Sequence, residues 1–169
     1  MPRSVRVFLP VTGDPEGLAS AFDDDPIRWL PAARPDGPRR YVLTLRAGSL
    51  HREVRASVGS PWRAGDTHWR ALSWDPIGDD GESGLMDRFL PSLDGELGLH
   101  LGGTTHATLV LDARYRPPGG ALGEAIDASM LRRVSRATVE RFLESITPRL
   151  AAEALLRGPI RPVQTVPAG

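Results

Sequence analysis

The run Ala107-Thr108-Leu109-Val110-Leu111-Asp112-Ala113-Arg114-Tyr115 is followed by Pro117-Pro118-Gly119-Gly120 and then by a long segment reaching about Leu156. In the first part Ala107, Leu109, Leu111, Ala113 and Tyr115 recur at every second residue, the period of a strand with one buried face. Beyond the proline-glycine cluster the period becomes helical. Met130, Leu131, Val134, Ala137, Thr138, Phe142 and Ile146 fall within one broad arc, while Arg132, Arg136, Glu140 and Glu144 lie four apart on the opposite, solvated side. Pro148 is expected to kink this helix or to end its first section.

Working upstream, the strand period recurs. Leu97, Leu99 and Leu101 lead into Gly102-Gly103, a hairpin signal between two apolar runs. In the segment from Thr67 to Asp75, Leu72 and Trp74 share a face with His68 and Arg70. Val54, Ala56 and Val58 alternate with Glu53, Arg55 and Ser57, and Tyr41, Leu43 and Leu45 alternate with Val42, Thr44 and Arg46. Val5 to Val11 reads as a first strand. After it, Thr12-Gly13-Asp14-Pro15 starts a short helix through Phe22, and Pro26 to Leu30 forms a second helical turn. Pro31 to Arg40, the Trp62 segment and Gly78 to Gly84 read as loops, and the proline-bearing tail 158–169 reads as a flexible extension of a single domain, 1–157. Six or seven mostly antiparallel strands followed by one long helix make an α+β chain whose economical packing lays the helix across the concave face of a curved sheet.

Composition removes several functions. The 169 residues hold no Cys, which excludes a disulfide framework, a thiolate nucleophile and any Cys-based metal site. All 21 basic residues are Arg and balance 21 acidic ones, so no basic surplus exists to hold a nucleic-acid backbone. Arg without Lys or Asn reads as the mark of a GC-rich genome rather than of Arg-specific recognition. No 18-residue apolar span is present, and the segment after Met1 is too short and interrupted for a signal peptide, so a cytoplasmic location is expected.

Two stretches resemble a known family. They are Phe89-Leu90-Pro91-Ser92-Leu93-Asp94-Gly95-Glu96-Leu97, and Ala113 through Pro117-Pro118-Gly119-Gly120 to Asp127, continuing with Arg133-Val134, Ala137-Thr138-Val139 and Phe142-Leu143. They look like actinobacterial members of the START/Bet v1-like (SRPBCC, helix-grip) superfamily, with its polyketide cyclase/dehydrase and lipid-transport branches. The resemblance implies a sheet gripping the C-terminal helix around a cavity for a hydrophobic small molecule. It implies no cofactor, carries no shared catalytic motif, and transfers no catalytic residue.

Three functions follow as expectations. The first is binding of a lipid-like or polyketide-like molecule in that cavity, lined by Tyr115, His68, Arg70, Leu72, Trp74, Leu109, Leu111, Met130, Val134 and Thr138. The second is a cyclase or dehydratase in the same cavity, with His68 or Tyr115 moving protons. The third is a solid-cored module whose exposed Trp residues bind a protein. Each polar candidate has a plainer role: His68 and Arg70 reaching solvent from a strand end, Tyr115 filling the core with its hydroxyl at the rim. Trp29, Trp62, Trp69 and Trp74 line the cavity mouth or cover the outer face. His51 reads as surface, and His100 and His106 as exposed hairpin residues. Asp23-Asp24-Asp25 and Asp79, Asp80 and Glu82 read as solvated loops, since no calcium-loop spacing is present. Whether the protein acts as a monomer or a homodimer is not written in the sequence.

Overall fold

The computed structural model describes residues 3–47, 50–77, 90–116 and 128–157. The strands are β1 (Arg3–Thr12), β2 (Arg34–Pro35), β3 (Arg40–Ala47), β4 (Leu50–Val58), β5 (Trp62–Ala64), β6 (Thr67–Pro76), β7 (Ser92–His100) and β8 (His106–Arg116). They form one antiparallel sheet in the order β1-β8-β7-β6-β4-β3-β2, with β5 paired to β6. Helix α1 (Pro15–Asp23) and a 3₁₀ turn (Pro26–Arg28) follow β1, and helix α2 (Ala128–Arg157) is the last described element. Six long strands agree with the expected six or seven, and two short ones, β2 and β5, bring the total among the described residues to eight. The β2 pair of residues lies in the proline loop, and β5 gives Trp62 a strand position instead of the loop expected. The 78–84 loop, the Pro117–Gly120 cluster and the tail 158–169 fall outside the described residues.

Local chemistry sets the first helix. Asp14 caps α1 by accepting from the Gly17 N–H at 2.8 Å, and Pro15 occupies the first turn. Leu18, Ala19, Ala21 and Phe22 are its buried face. Gly17 allows α1 to approach α2 closely, because a Cβ there would come within 2.9 Å of the Ala154 carbonyl oxygen.

The inner face of the sheet follows the alternation. Leu43 and Leu45 on β3, Val54, Ala56 and Val58 on β4, Leu72 and Trp74 on β6, Leu97 and Leu99 on β7, and Leu109, Leu111 and Tyr115 on β8 join one core. From α2 the same core receives Val139, Phe142, Leu143, Ile146, Leu150 and Ala154. The buried stripe of α2 is rotated from the expected arc: Ser135 and Thr138 are buried, Val134 is half-buried and Ala137 is exposed. Pro148 neither breaks nor ends α2. It sits on the exposed side, where the Ser145 and Thr147 hydroxyls donate to the Phe142 and Leu143 carbonyls in the turn before it.

The outer face carries an apolar row. Trp62, Trp69, Gly98, Val110 and Phe8 are successive register partners across β5, β6, β7, β8 and β1. Gly98 leaves room for the Trp69 ring, which a Cβ would meet at 2.7 Å. Trp62 and Phe8 remain exposed.

Candidate functional site

Three places on or beside the inner face hold the candidate residues. The first lies where β6 meets the end of α1. His68 and Arg70 are buried here, which corrects the expectation that they reach solvent. The Arg70 guanidinium donates to three carbonyl oxygens: Nε to Phe22 at 2.9 Å, and the terminal nitrogens to Gly59 at 2.8 Å and Asp24 at 2.7 Å. It also lies 5.8 Å from the centroid of the Phe22 ring, which stacks on Trp29. Burial pulls the Arg70 pKa below its ordinary value, and Asp23, Tyr41, Asp24 and Asp25 oppose that pull.

The three consecutive aspartates are solvent-accessible, as expected, and each also has a partner. Asp23 Oδ2 is 2.8 Å from His68 Nδ1, Asp24 pairs with Arg157 of α2, and Asp25 accepts from the Tyr41 hydroxyl at 3.3 Å and caps the 3₁₀ turn. Each ties the α1 end to a different element. Hydrogen bonding from Arg157 holds the Asp24 carboxyl below the usual carboxylate value. Burial, then the charge of Asp25, pushes the Tyr41 phenol above its own. His68 Nε2 and Trp29 Nε1 are buried without a hydrogen-bond partner among the described residues.

The second place is the far end of β6. Trp74, Leu93 and Tyr115 are register partners across β6, β7 and β8. Trp74 donates to the Pro91 carbonyl at 3.2 Å and meets Phe142 of α2 edge-on, with centroids 5.3 Å apart. One and two turns before Phe142, α2 carries Thr138 and Ser135. Thr138 turns its hydroxyl back to the Val134 carbonyl at 2.8 Å, whereas the Tyr115 and Ser135 hydroxyls are buried with no partner among the described residues. Six residues of β6 separate His68 from Trp74, about 20 Å at strand rise, so the sequence candidates do not converge on one site. Leu72, Leu109 and Leu111 fill the core between the two ends. Met130 falls outside the residues whose side chains the structure describes.

The third place was not anticipated. A half-open groove of about 720 Å³ runs between β3 and α2. Because β2 pairs only with Tyr41 and Val42, the β3 edge at Thr44, Leu45 and Arg46 has no strand beside it among the described residues. Pro31, Leu45 and Phe142 line its floor and are themselves buried. Thr44, Arg46 and His51 lie on the sheet side, and Arg141, Glu144, Ser145 and Arg149 on the helix side. Two smaller grooves, about 320 and 240 Å³, lie among Ser73, Asp94 and their neighbours on β4, β6, β7 and β8. Among the described residues no three His, Asp or Glu side chains are grouped to hold a metal, and no helix is long and apolar enough to cross a membrane.

No protein-family model matches the chain, and no curated protein matches its sequence. Solved structures do match its shape. The chain superimposes on an aromatase/cyclase, Zhui from a Streptomyces species, with a TM-score of 0.58 and 14% identity over 93% of this chain and 96% of that one. It matches the di-domain aromatase/cyclase StfQ of the steffimycin biosynthetic pathway at 0.56 and 13%, over 93% of this chain and 52% of that one. Norcoclaurine synthase from Thalictrum flavum, solved with dopamine and hydroxybenzaldehyde, matches at 0.53 and 9%, over 92% and 88%. At these identities the likeness is one of fold.

Proposed function

We propose that this protein, which has the helix-grip fold of the START/Bet v1-like superfamily, binds a hydrophobic small molecule between its sheet and its C-terminal helix. The observation that carries the reading is the groove of about 720 Å³ between β3 and α2, a volume within the range of small-molecule sites. Leu45, Phe142 and Pro31 line the floor and are already buried, so the apolar gain comes from the ligand's own surface leaving water, about 25 cal/mol for each Å². Phe142 is a wall shared with the deeper end of the core, since it also meets Trp74. A ligand reaching past it finds two unsatisfied hydroxyls, Tyr115 and Ser135, suited to orienting a carbonyl.

The test is a titration with N-phenyl-1-naphthylamine, a neutral apolar fluorophore, in the native protein and in Ser145→Trp. Ser145 is half-buried on the groove wall, so an indole there occupies the space without touching the core. Saturable one-to-one binding that the substitution abolishes, with an unchanged circular dichroism spectrum, supports the reading. Absence of saturable binding, or binding indifferent to Ser145→Trp, refutes it.

A second, enzymatic reading has one observation in its favour. With Nδ1–H donated to Asp23, the buried Nε2 of His68, which has no partner among the described residues, becomes a proton acceptor, the arrangement needed for cyclase or dehydratase chemistry. Two of the similar folds are aromatase/cyclases by name. This reading requires that His68→Gln abolish turnover of a polyketide-like substrate while leaving the fold intact.

A further inference from the structure

We infer that the outer face of the sheet docks an extended, proline-rich segment of another protein, its prolines stacked on Trp62, Trp69 and Phe8 and a basic residue beside them on Glu96. The strand register sets Trp62, Trp69, Gly98, Val110 and Phe8 in one line across β5, β6, β7, β8 and β1. Four strand spacings make that line about 19 Å long. Phe8 is 62% exposed and Trp62 40%, Trp69 is half-buried over Gly98, and Val110 is the buried floor beside them. Neither the Trp62 nor the Trp69 indole N–H has a hydrogen-bond partner among the described residues. One flank of the line, Ala64, Thr67, His100, Thr108 and Pro10, holds no carboxylate and no guanidinium. On the other flank Asp112 is paired with Arg6, whereas Glu96 is exposed and meets no cation among the described residues. Glu96 stands two residues along β7 from Gly98, about 7 Å from the line.

The form of the row selects its occupant. Strands β6, β7 and β8 are each paired on both sides, so no strand can be added there through main-chain hydrogen bonds. The line is one side chain wide between polar flanks, which leaves no groove for an amphipathic helix. The exposed parts of Phe8 and Trp62 amount to about 150–250 Å² of ring surface, against about 800 Å² per partner in a stable dimer. An occupant held by so small an area must lose little freedom on binding. A polyproline segment is extended before it binds and makes no internal hydrogen bonds, so its carbonyls are free to accept from the indole N–H groups. Six of its residues cover about 19 Å, the length of the row. The uncompensated carboxylate of Glu96 supplies the charge that an Arg or Lys on such a segment meets.

The experiment titrates the nitrogen-15-labelled protein with the peptide Pro-Pro-Pro-Arg-Pro-Pro-Pro and follows the amide and indole signals by NMR. Two control peptides replace the Arg by Glu, or every Pro by Gly. The variants are Trp62→Ala and Glu96→Gln, both at exposed positions, so the substitutions leave the core untouched. The expected result is saturable shifts of the Trp62 and Trp69 indole signals and of the β5 to β8 amides along the row. The Glu peptide binds about fivefold more weakly, the size of one solvated ion pair, and the Gly peptide at least tenfold more weakly. Trp62→Ala weakens the Arg peptide about tenfold, whereas Glu96→Gln makes the Arg and Glu peptides bind alike. Shifts absent from the row, a Gly peptide that binds as well, binding indifferent to Trp62→Ala, or a charge preference that survives Glu96→Gln overturns the inference. Slower diffusion of the free protein at higher concentration, reversed by Trp62→Ala, assigns the row to a second copy of the chain and overturns it as well.

Discussion

Replacing Arg70 by Ala tests whether the α1 end is locked to the sheet by one side chain. The guanidinium satisfies the Phe22, Asp24 and Gly59 carbonyls, two of which flank Asp23, so a single residue fixes the chain on both sides of the carboxylate that meets His68. Hydrogen bonds from a charged donor contribute about 1.5–3 kcal/mol each. Their sum overstates the effect, because the three share one side chain and because removing a buried cation also removes its desolvation penalty. The expected loss is therefore about 3–5 kcal/mol, since each buried carbonyl left without a donor costs about 1–3 kcal/mol. For a chain of this size about 4 kcal/mol corresponds to a melting temperature roughly 8–16 °C lower. Arg70→Lys recovers little, since an ammonium on a flexible stem lacks the fork that spans three acceptors. Urea unfolding followed by circular dichroism gives the free energy, and amide exchange at α1 and the 3₁₀ turn gives the location. A loss below about 1 kcal/mol, or exchange that rises uniformly instead of at the α1 end, refutes the reasoning.

The remaining expectations concern acid, base and the outer face. Arg157 holds the Asp24 carboxyl below its reference value of 3.8, so the pair stabilises the fold above that pH and the contribution disappears as pH falls through the lower folded value. Arg157→Gln should flatten the acid limb of the urea midpoint against pH, and an unchanged limb counts against the pair. Tyr41 runs the other way. Its phenol is raised above 10.0 by burial and by Asp25, so stability falls as pH rises above 10.0, where the unfolded chain ionises first. Asp25→Asn should bring the Tyr41 ionisation, followed by ultraviolet absorbance, back toward that value. On the outer face, Gly98→Ala places a Cβ 2.7 Å from the Trp69 ring and 2.8 Å from a Val110 methyl. Overpacking of that kind costs about 1–3 kcal/mol, and a neutral result in thermal melts shows that the ring moves aside freely.

Legibility in the sequence divides by the range of the interaction. The β8 alternation and the helical period after it were sufficient to place the long helix against an antiparallel sheet, because both are set by burial of a face within one element. The same alternation correctly put His68 and Arg70 on the inner face with Leu72 and Trp74. It was silent on their fate, since the partners at Phe22, Asp23 and Asp24 lie more than forty residues away and arrive only when α1 docks. Three adjacent aspartates look like a hydrated loop when read alone. Ser135 escaped notice for a related reason: a hydroxyl on a mostly polar helix end carries no apolar signal, and the stripe is rotated enough to bury it while exposing Ala137. The groove was invisible because it is bounded by an edge strand whose neighbour, β2, is only two residues long.

Among the arginines, residue type and residue role are independent. With no Lys in the chain, the choice of Arg at any one position says nothing about recognition, and the partner set alone carries information. Arg70 ends on carbonyls and Arg157 on Asp24, so both are accounted for by the fold's own need to satisfy a helix end and to tie α2 to α1. Arg46 and Arg149 serve no such need. Both are exposed, and neither meets a carboxylate among the described residues. The same side chain is thus structural at one end of the molecule and solvated at the other. An Arg-to-Gln substitution should therefore lower stability at the first and leave it within about 0.5 kcal/mol at the second, as urea unfolding would show.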